Sequence, residues 1–367
     1  MSLSHPLPRE LTRPVFVGDV QIGCGAPVVV QSMTNTKTAD VDSTLAQISR
    51  LEQAGCQMVR LAVPDMEAAQ ALAQIRRRTD MALVADIHFD YRLALASVQA
   101  GVDKIRLNPG NIGGADRVRQ VAMACKERGI PIRIGVNSGS VEKDLLQQYG
   151  GPRPQALVES ALRHVALLEQ EGFFDIAVSI KASNVPDMVQ ANRLLAQRCG
   201  YAIHLGVTEA GTPASGIVKS AVGIGALLLD GIGDTIRVSL TADPAEEVPA
   251  AFRILQACGL RPDAPELVSC PTCGRTSIDL ISLANRVEQA ISKRSLPVKV
   301  AVMGCVVNGP GEAREADVGI AGGRGEGVLF SKGRILKKVP EQELFDALMQ
   351  ELDAMEKERG LSDGPKQ

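Results

Sequence analysis

The chain has 367 residues, of which 45% are hydrophobic and 22% are charged, and its formal net charge is −2. At about 150 residues per domain, this length predicts two domains. The composition excludes a globally disordered chain, and the weak negative charge argues against a nucleic-acid binder that relies on global positive charge. Tryptophan is absent and aromatic residues make up 3%, so aromatic platforms for stacking bases are not expected.

The apolar segments are too short for a membrane span. The longest apolar run, Ala221–Leu229, is interrupted by glycine, whereas a spanning helix needs about 20 apolar residues. The first residues lack the apolar core of a secretory signal. We therefore expect a cytoplasmic protein without a membrane partner. In that compartment, the eight cysteines are expected to be free thiols, metal ligands or catalysts rather than disulfides.

From about residue 27 to residue 258, short β-rich apolar runs alternate with segments of helical periodicity. Before them, Val15–Val20 and Gln21–Pro27 are typical of a small hairpin that caps the bottom of a barrel. The predicted strands are Val28–Gln31, Met58–Val63, Leu83–His88, Lys104–Asn108, Ile132–Asn137, Ile176–Lys181, Ile203–Val207 and Thr235–Leu240. The predicted helices are Ser43–Gln53, Glu67–Arg78, Arg92–Gln99, Arg117–Arg128, Gln155–Gln170, Pro186–Gln197, Gly216–Leu229 and Ala245–Ala257.

Eight β-α units favour an α/β fold of the closed (β/α)8 TIM type. An open doubly wound sheet is the alternative, because the number of strands alone does not prove closure. The long connection Ser138–Pro154 contains several glycines and prolines and is expected to be a functional loop or lid.

A turn-rich stretch, Arg261–Pro265, separates the barrel from a second unit. We therefore predict a barrel domain over 1–260 and a small α+β domain over 261–367. The elements predicted for the second domain are a helix at Ile278–Ser292, a strand at Val298–Met303, short strands at Val328–Phe330 and Arg334–Val339, and a helix at Glu341–Lys357.

Polar residues recur at alternate positions near the ends of the predicted barrel strands. Because residues i and i+2 of a strand share a face, a closed barrel would bring them together at its C-terminal mouth. Glu209 follows the seventh strand and would join them. The strand residues are Arg60, Asp86, His88, Arg106, Asn108, Arg133, Asn137, Ser179, Lys181, Arg237 and Ser239.

The charges of this set predict an anionic ligand. Five cations face two acids, Asp86 and Glu209, which leaves an excess of about three positive charges. Arginine binds phosphate oxygens in a bidentate manner, so a diphosphate is the expected ligand. Two glycine-rich turns, Asn108–Gly114 and Glu209–Gly216, could aim backbone N–H groups at phosphate. Any single arginine could instead form a structural ion pair, and His164 and His204 are expected to be structural.

The second domain carries three cysteines with metal-ligand spacing. Cys270-Pro-Thr-Cys273 is followed by Cys305, and no histidine follows His204. Three thiolates and a non-cysteine fourth ligand suit a [4Fe–4S] cluster better than zinc, with Glu312 as the candidate fourth ligand. Asn308 could hydrogen-bond the cluster sulfides or the substrate. A structural zinc ion stays the alternative.

Several motifs resemble those of one family, the bacterial 4-hydroxy-3-methylbut-2-enyl diphosphate synthases of the non-mevalonate isoprenoid pathway. The resemblance extends from about residue 14 to residue 340. The motifs that carry it are Val30–Thr36, Val84–Asp90, Asn108–Gly113, Ile132–Asn137, Thr208–Gly211, Gly231–Thr235, Cys270–Cys273 and Gly304–Glu312.

The resemblance implies an iron–sulfur oxidoreductase. Such an enzyme opens the ring of 2-C-methyl-D-erythritol 2,4-cyclodiphosphate with two electrons and removes a hydroxyl. Its cluster would be held by Cys270, Cys273, Cys305 and Glu312, and its electrons would come from reduced flavodoxin or ferredoxin. A homodimer is implied, in which the cluster domain of one subunit covers the barrel of the other. Glu209 is the candidate proton donor for the departing hydroxyl.

Two other hypotheses compete with this one. The first is a barrel enzyme without redox chemistry that acts on a phosphosugar or a pterin and carries a zinc-stapled appendage. The second is a non-enzymatic scaffold that binds an anionic ligand. Iron or zinc content after anaerobic purification distinguishes the first of these from the reductase, and loss of activity on changing Glu209 would exclude the scaffold.

Overall fold

A computed structural model describes residues 7–294, 296–305 and 313–360. The chain divides into two compact units, and the division falls between Leu260 and Arg261. The predicted residues Asn308 and Glu312 lie outside the described residues.

The first unit is a closed barrel of parallel strands in the order β10-β3-β4-β5-β6-β7-β8-β9. Its closure, through pairing of Thr235 with both Val29 and His204, confirms the (β/α)8 prediction and excludes the open sheet. The strands are β3 Val29–Met33, β4 Met58–Ala62, β5 Ala82–Asp86, β6 Lys104–Leu107, β7 Ile132–Asn137, β8 Ile176–Lys181, β9 Ala202–Leu205 and β10 Thr235–Ile236.

Helices surround the barrel and bury their apolar faces against the outward-facing strand residues, for example Val59, Leu83 and Ile134. Several begin at an aspartate whose carboxylate accepts a backbone N–H, as at Asp40 and Asp65. The helices are α1 Val41–Gln53, α2 Met66–Arg76, α3 Tyr91–Ala100, α4 Ala115–Glu127, α5 Lys143–Tyr149, α6 Pro154–Gln170, α7 Val185–Ala196, α8 Pro213–Leu229 and α9 Pro244–Ala257.

The predicted hairpin is present and closes the barrel at the N-terminal ends of its strands. Strands β1 (Val15–Val17) and β2 (Val20–Ile22) pair antiparallel. Val15, Val17 and Ile22 pack with Val29 and Met58, which begin two barrel strands. This end of the barrel is therefore apolar and sealed, so polar chemistry is confined to the opposite end.

Some predicted bounds in the barrel differ from the structure. The last strand ends at Ile236 rather than Leu240, and the residues that follow it are irregular. The connection Ser138–Pro154, predicted as a functional loop or lid, contains the 3-10 turn Ser138–Ser140 and helix α5. The connection has only four apolar or aromatic residues, Val141, Leu145, Leu146 and Tyr149, which were too few to indicate a separate helix.

The second unit contains a five-stranded sheet in the order β11-β12-β13-β14-β15. Strands β11, β12 and β13 are parallel to one another, whereas β14 is antiparallel to both β13 and β15. Helices α10 (Leu280–Ile291) and α11 (Leu344–Glu358) cover one face. The strands are β11 Glu266–Ser269, β12 Lys299–Met303, β13 Val318–Gly322, β14 Glu326–Ser331 and β15 Arg334–Pro340; β11 and β13 were not predicted. Among the described residues, no helix is long and apolar enough to cross a membrane.

Asp234 supports a prediction about the pH dependence of stability. Its Oδ2 accepts the Ile203 N–H at 2.7 Å, and its Oδ1 lies 3.1 Å from Thr12 Oγ1. Burial raises the pKa of Asp234 from 3.8 to about 6. Because folding favours the protonated acid, its contribution to stability is present below pH 3.8 and is lost as the pH rises through 6.

We therefore expect Asp234→Asn, which cannot ionise, to gain stability relative to the parent protein as the pH rises. The difference in unfolding free energy should grow by about 1 kcal/mol between about pH 5 and about pH 7.5. Urea unfolding at both pH values measures it. A difference that does not change with pH would contradict the raised pKa.

Candidate active site

A small polar cavity of about 120 Å³ lies among the residues that predictions placed at the C-terminal ends of the strands. It brings together most of the predicted substrate-binding residues, which come from six different strands or the turns after them. The lining residues are Arg60, Asp86, His88, Arg106, Arg133, Asn137, Ser179, Lys181, Thr208, Arg237 and Ser239.

The strand register and two glycines explain why these side chains converge. Asp86 on β5 pairs with Arg106 on β6, and Arg106 pairs in turn with Arg133 on β7, so the three lie side by side. A Cβ on Gly135 would lie 2.4 Å from Arg106 Nε, and a Cβ on Gly206 would lie 2.8 Å from Lys181 Nζ. Glycine at these two positions leaves the space in which the long cationic side chains lie.

Asp86 holds two of the arginines. Its Oδ1 lies 3.1 Å from Arg106 Nη1, and its Oδ2 lies 3.6 Å from Arg60 Nε and from His88 Nε2. Burial alone would raise the pKa of Asp86, but Arg60, His88 and Arg106 hold the pKa well below its ordinary value of 3.8. Asp86 is therefore a permanent carboxylate that orients the cations. The ring of His88 is exposed and can reach a ligand in the cavity.

Arg237 is held by a residue that the sequence analysis missed. Glu247 on α9 is 3% exposed, and its Oε2 lies 3.3 Å from Arg237 Nε. The same carboxylate accepts hydrogen bonds from Ser32 Oγ and the Leu240 N–H. A signal was present, because Glu247 falls on the apolar face of its helix, three residues after Pro244 and four before Ala251. A buried acid there needs a cationic partner.

Three cations of the barrel interior have no carboxylate within ion-pair distance among the residues that the structure describes. Arg133 donates to Ser179 Oγ, while its Nε and Nη2 are buried without a hydrogen-bond partner in that part of the chain. Lys104, below the cavity, is fully buried with its Nζ 2.8 Å from Met58 Sδ. Burial and the neighbouring arginines lower the pKa values of Lys104, Lys181 and Arg133. Positive charge thus exceeds negative charge around this cavity, as the sequence predicted.

Two predicted residues lie apart from the cavity wall. Asn108 is buried, and its Oδ1 accepts the Gly135 N–H at 2.8 Å, so in this structure it braces β6 against β7. Glu209 is exposed, with a positive φ of 52°, and does not line the cavity. The second acid that pairs with a cavity cation is therefore Glu247, whereas the charge count had predicted Glu209. Thr208, which precedes Glu209, lines the cavity and was not predicted.

The two glycine-rich turns offer fewer free N–H groups than predicted. In the turn after β6, the Gly110 N–H donates to His164 Nδ1 and the Asn111 N–H to the Asn108 carbonyl. In the turn after β9, the Gly216 N–H donates to the Thr212 carbonyl at 2.7 Å. These N–H groups are used within the fold, so the side chains carry most of the recognition of an anion.

The three predicted ligand cysteines lie at the carboxyl ends of two neighbouring strands in the second unit. Cys270 follows β11 and Cys305 follows β12, and the parallel register pairs Ser269 with Val302. The Gly304 N–H donates to Cys270 Sγ at 3.2 Å. The loop of Cys273 joins them through the Ser277 N–H, which donates to the Gly304 carbonyl at 3.2 Å.

The chemistry of this edge suits thiolate ligands of a cluster. A backbone hydrogen bond from Arg275 is the main cause that lowers the pKa of Cys273, which favours the thiolate. Within the described residues, no three His, Cys, Asp or Glu side chains are close enough to hold a single metal ion.

Comparison with protein families decides the relationship. The family model described as "GcpE TIM-barrel domain" matches residues 12–252, and the one described as "GcpE protein C-terminal domain" matches residues 266–354. This chain belongs to the GcpE family. The resemblance predicted from the motifs is thereby confirmed.

Relatives of this GcpE protein share its full length. One from Geobacillus thermodenitrificans is 56% identical over 97% of this chain and 95% of its own. One from Caldanaerobacter subterraneus is 57% identical over 95% of this chain and 99% of its own. Both are named 4-hydroxy-3-methylbut-2-en-1-yl diphosphate synthase (flavodoxin). A solved dihydropteroate synthase from Yersinia pestis covers 67% of the GcpE chain and 98% of its own at 13% identity, with a TM-score of 0.48, which is too weak a likeness to indicate function.

The ion pair of Arg237 supports a prediction with an internal control. We expect Glu247→Gln to lower the unfolding free energy by about 3 kcal/mol, because it leaves Arg237 partly buried without its carboxylate. Glu209→Gln is the matched control and should change stability by less than about 0.5 kcal/mol, because Glu209 is exposed. Urea unfolding of both variants measures this, and equal losses would contradict the assignment of Glu247.

Proposed function

We propose that this chain catalyses the two-electron reductive ring opening of 2-C-methyl-D-erythritol 2,4-cyclodiphosphate to (E)-4-hydroxy-3-methylbut-2-enyl diphosphate. The observation that carries the proposal is the cavity in which five cationic side chains surround one lining carboxylate. Membership of the GcpE family and the printed names of relatives at 56–57% identity support the same reaction. In this reading the chain is an oxidoreductase of isoprenoid precursor synthesis.

The cavity residues have distinct roles in the proposal. Arg60, Arg106 and Arg237 are already oriented by carboxylates and present guanidinium donors to phosphate oxygens. Arg133 and Lys181 have no carboxylate partner in the described part of the chain, so the substrate supplies the anion that they need. His88, Asn137, Ser179 and Ser239 can hydrogen-bond the hydroxyl and ring oxygens of the substrate. Asn108 contributes to this site indirectly, because its Oδ1 accepts the Gly135 N–H and so braces β7.

A [4Fe–4S] cluster is part of the proposal, with Cys270, Cys273, Cys305 and Glu312 as its ligands. The convergence of Cys270 and Cys305 at one sheet edge and the lowered pKa of Cys273 fit this group. When bound, the cluster supplies single electrons and, at an iron with an exchangeable oxygen ligand, Lewis acidity. The described chain contributes the thiolates and a backbone N–H that hydrogen-bonds one sulfur.

Two roles stay predictions. Glu209 is the proposed proton donor that lets the hydroxyl of the substrate leave as water, and its exposed position allows it to exchange protons with solvent. Asn308 is proposed to hydrogen-bond the cluster or the substrate.

Reduced flavodoxin is the proposed electron donor, in keeping with the names of the relatives, with ferredoxin as the alternative. A homodimer in the cytoplasm, in which the cluster domain of one subunit covers the barrel of its partner, is also proposed.

Anaerobic purification tests the proposed function against its rivals. We expect a brown protein with about four irons and four sulfides per chain that reduces the cyclic diphosphate when reduced flavodoxin is supplied. A colourless protein with stoichiometric zinc would favour the redox-inactive barrel enzyme. An iron-loaded protein that binds the cyclic diphosphate without reducing it would favour the scaffold.

Arg106 tests the binding half of the proposal. We expect Arg106→Ala to raise the dissociation constant of the cyclic diphosphate by about tenfold or more, because an oriented guanidinium donor is lost, with no change in iron content. Anaerobic calorimetry and iron analysis measure the two quantities. Arg119→Ala is the control, since Arg119 is an exposed arginine that pairs with Glu171. An unchanged dissociation constant would exclude Arg106 as an anion ligand.

Cys305 tests the redox half. Cys305→Ala should lose the intact cluster and turnover, yet bind the cyclic diphosphate as the parent protein does, because the cavity residues all belong to the barrel unit. Cys258→Ala is the control, because Cys258 is another partly exposed free thiol and should retain both cluster and turnover. Reductive turnover by Cys305→Ala would exclude Cys305 as a ligand.

A further inference from the structure

His164 connects helix α6 to the turn that follows the arginine-bearing strand β6. It is 2% exposed, and its Nδ1 accepts the backbone N–H of Gly110 at 3.0 Å. Gly110 is the central residue of the 3-10 turn Pro109–Asn111. A Cβ on Gly110 would lie 2.6 Å from His164 Cε1. The turn therefore packs directly on the imidazole ring, and only glycine fits between them.

The second ring nitrogen faces a different loop. His164 Nε2 lies 3.6 Å from Glu142 Oε1, and Glu142 is in the loop after β7. Nδ1 can accept a hydrogen bond only while it carries no proton, so the hydrogen of the neutral ring is on Nε2, towards Glu142. Burial lowers the pKa of His164, Glu142 opposes this, and Arg163 lowers the pKa further. Arg163 is itself paired with Asp144 at 2.7 Å.

The bond from Gly110 completes a series of attachments along the chain. Arg106 Nη2 donates to the Gly135 carbonyl at 2.9 Å, and Asn108 Oδ1 accepts the Gly135 N–H at 2.8 Å. These two bonds hold the end of β6 to β7. After Asn108 the chain leaves the barrel wall, and the contact with His164 holds the Pro109–Asn111 turn in its position. Without that contact, the turn could shift and carry Asn108 with it.

We propose that His164 is a positioning residue for substrate binding: its neutral Nδ1 holds the Pro109–Asn111 turn, which keeps Asn108 and Arg106 in place beside the cavity. His164 does not line the cavity, so it acts through these residues and not on the substrate. The proposal rests on the proposed function, because the cyclic diphosphate is the ligand whose binding it affects. An effect on positioning should change KM more than kcat, since the phosphate contacts are shared by ground state and transition state.

Two substitutions separate the acceptor from the packing. Asn at position 164 can present Oδ1 near the place of Nδ1 and does not titrate, whereas Leu fills similar volume without an acceptor. We expect His164→Leu to raise KM for the cyclic diphosphate by about tenfold with kcat within about threefold. His164→Asn should stay within about threefold of the parent KM. Ser160→Ala, which changes another buried residue of α6, is the control for packing and should leave KM unchanged.

The pH profile gives a second readout. In the iron-loaded parent enzyme, KM should rise on acidification as the ring takes a proton at Nδ1 and loses its acceptor. His164→Asn should lack this component of the profile. Glu142 faces the ring and raises the pKa of His164. Glu142→Gln, made in a protein that keeps Arg163 and Asp144, should therefore shift that component of the profile to lower pH.

Distinct outcomes separate this inference from the proposed function. If the parent protein does not bind the cyclic diphosphate, the proposed function fails. If the parent protein binds and reduces the cyclic diphosphate but His164→Leu has the parent KM, the positioning role is wrong. The role is also wrong if His164→Asn raises KM as much as His164→Leu does. Should His164→Leu not fold, Gly110→Ala tests the same contact from the turn, because its Cβ must displace the ring or the turn; a parent-like KM there would also reject the proposal.

Discussion

The barrel holds several cationic side chains in its interior, and the N-terminal ends of its strands are sealed by apolar residues. The need to stabilise these buried charges is the constraint on which the rest of the structure depends. Charges are costly to remove from water unless each finds a partner. Asp86 and Glu247 form ion pairs with Arg60, Arg106 and Arg237. Within the described ranges, Arg133, Lys104 and Lys181 have no carboxylate at ion-pair distance. The barrel is therefore built around a positive potential that a multiply charged anion can neutralise.

The sequence prepares this arrangement with the pleat of the strands. Alternation places Asp86, Arg106 and Arg133 inwards, while Leu83, Ile105 and Ile134 face the helices. Glycine is then used where a Cβ would take the space of a long cationic side chain, that of Arg106 beside Gly135 and that of Lys181 beside Gly206. The outward-facing residues of each strand thus pack against the helices, while the inward-facing residues of the same strand line the cavity.

Much of this could be predicted from sequence because it depends on local periodicity. The barrel strands, the surrounding helices and the phase of the inward-facing residues follow from spacing along the chain. Glu247 could not be found in that way, because it reaches Arg237 from a helix, and helical spacing does not show which buried acid meets which strand. Asn108 shares its face with Arg106 as predicted, yet the chain turns after Leu107, so its amide is used by Gly135.

The second unit was harder to predict for a related reason. Strands β11 and β13 are short or rich in small residues, and their identity depends on neighbours that are distant in sequence. The parallel pairing of β11 with β12 explains why Cys270 and Cys305, which are 35 positions apart in sequence, both lie at the carboxyl ends of neighbouring strands. The cysteine spacing predicts a metal centre, and the parallel register is what brings two of the predicted ligand thiols to neighbouring strand ends.

The two units also divide the chemistry in a way that follows from dielectric environment. In the proposed function, the barrel cavity recognises charge, and three of its arginines are buried or partly buried and oriented by carboxylates, which strengthens their hydrogen bonds to phosphate. The proposed cluster site needs the opposite property, since thiols become ligands only after losing a proton, and exposure of Cys273 with nearby N–H donors favours that loss. A thiolate inside the barrel would be bound by the arginines, and an arginine cluster beside the thiols would compete with metal for them. Separating the two sites on different units allows each to have the environment that its own chemistry requires.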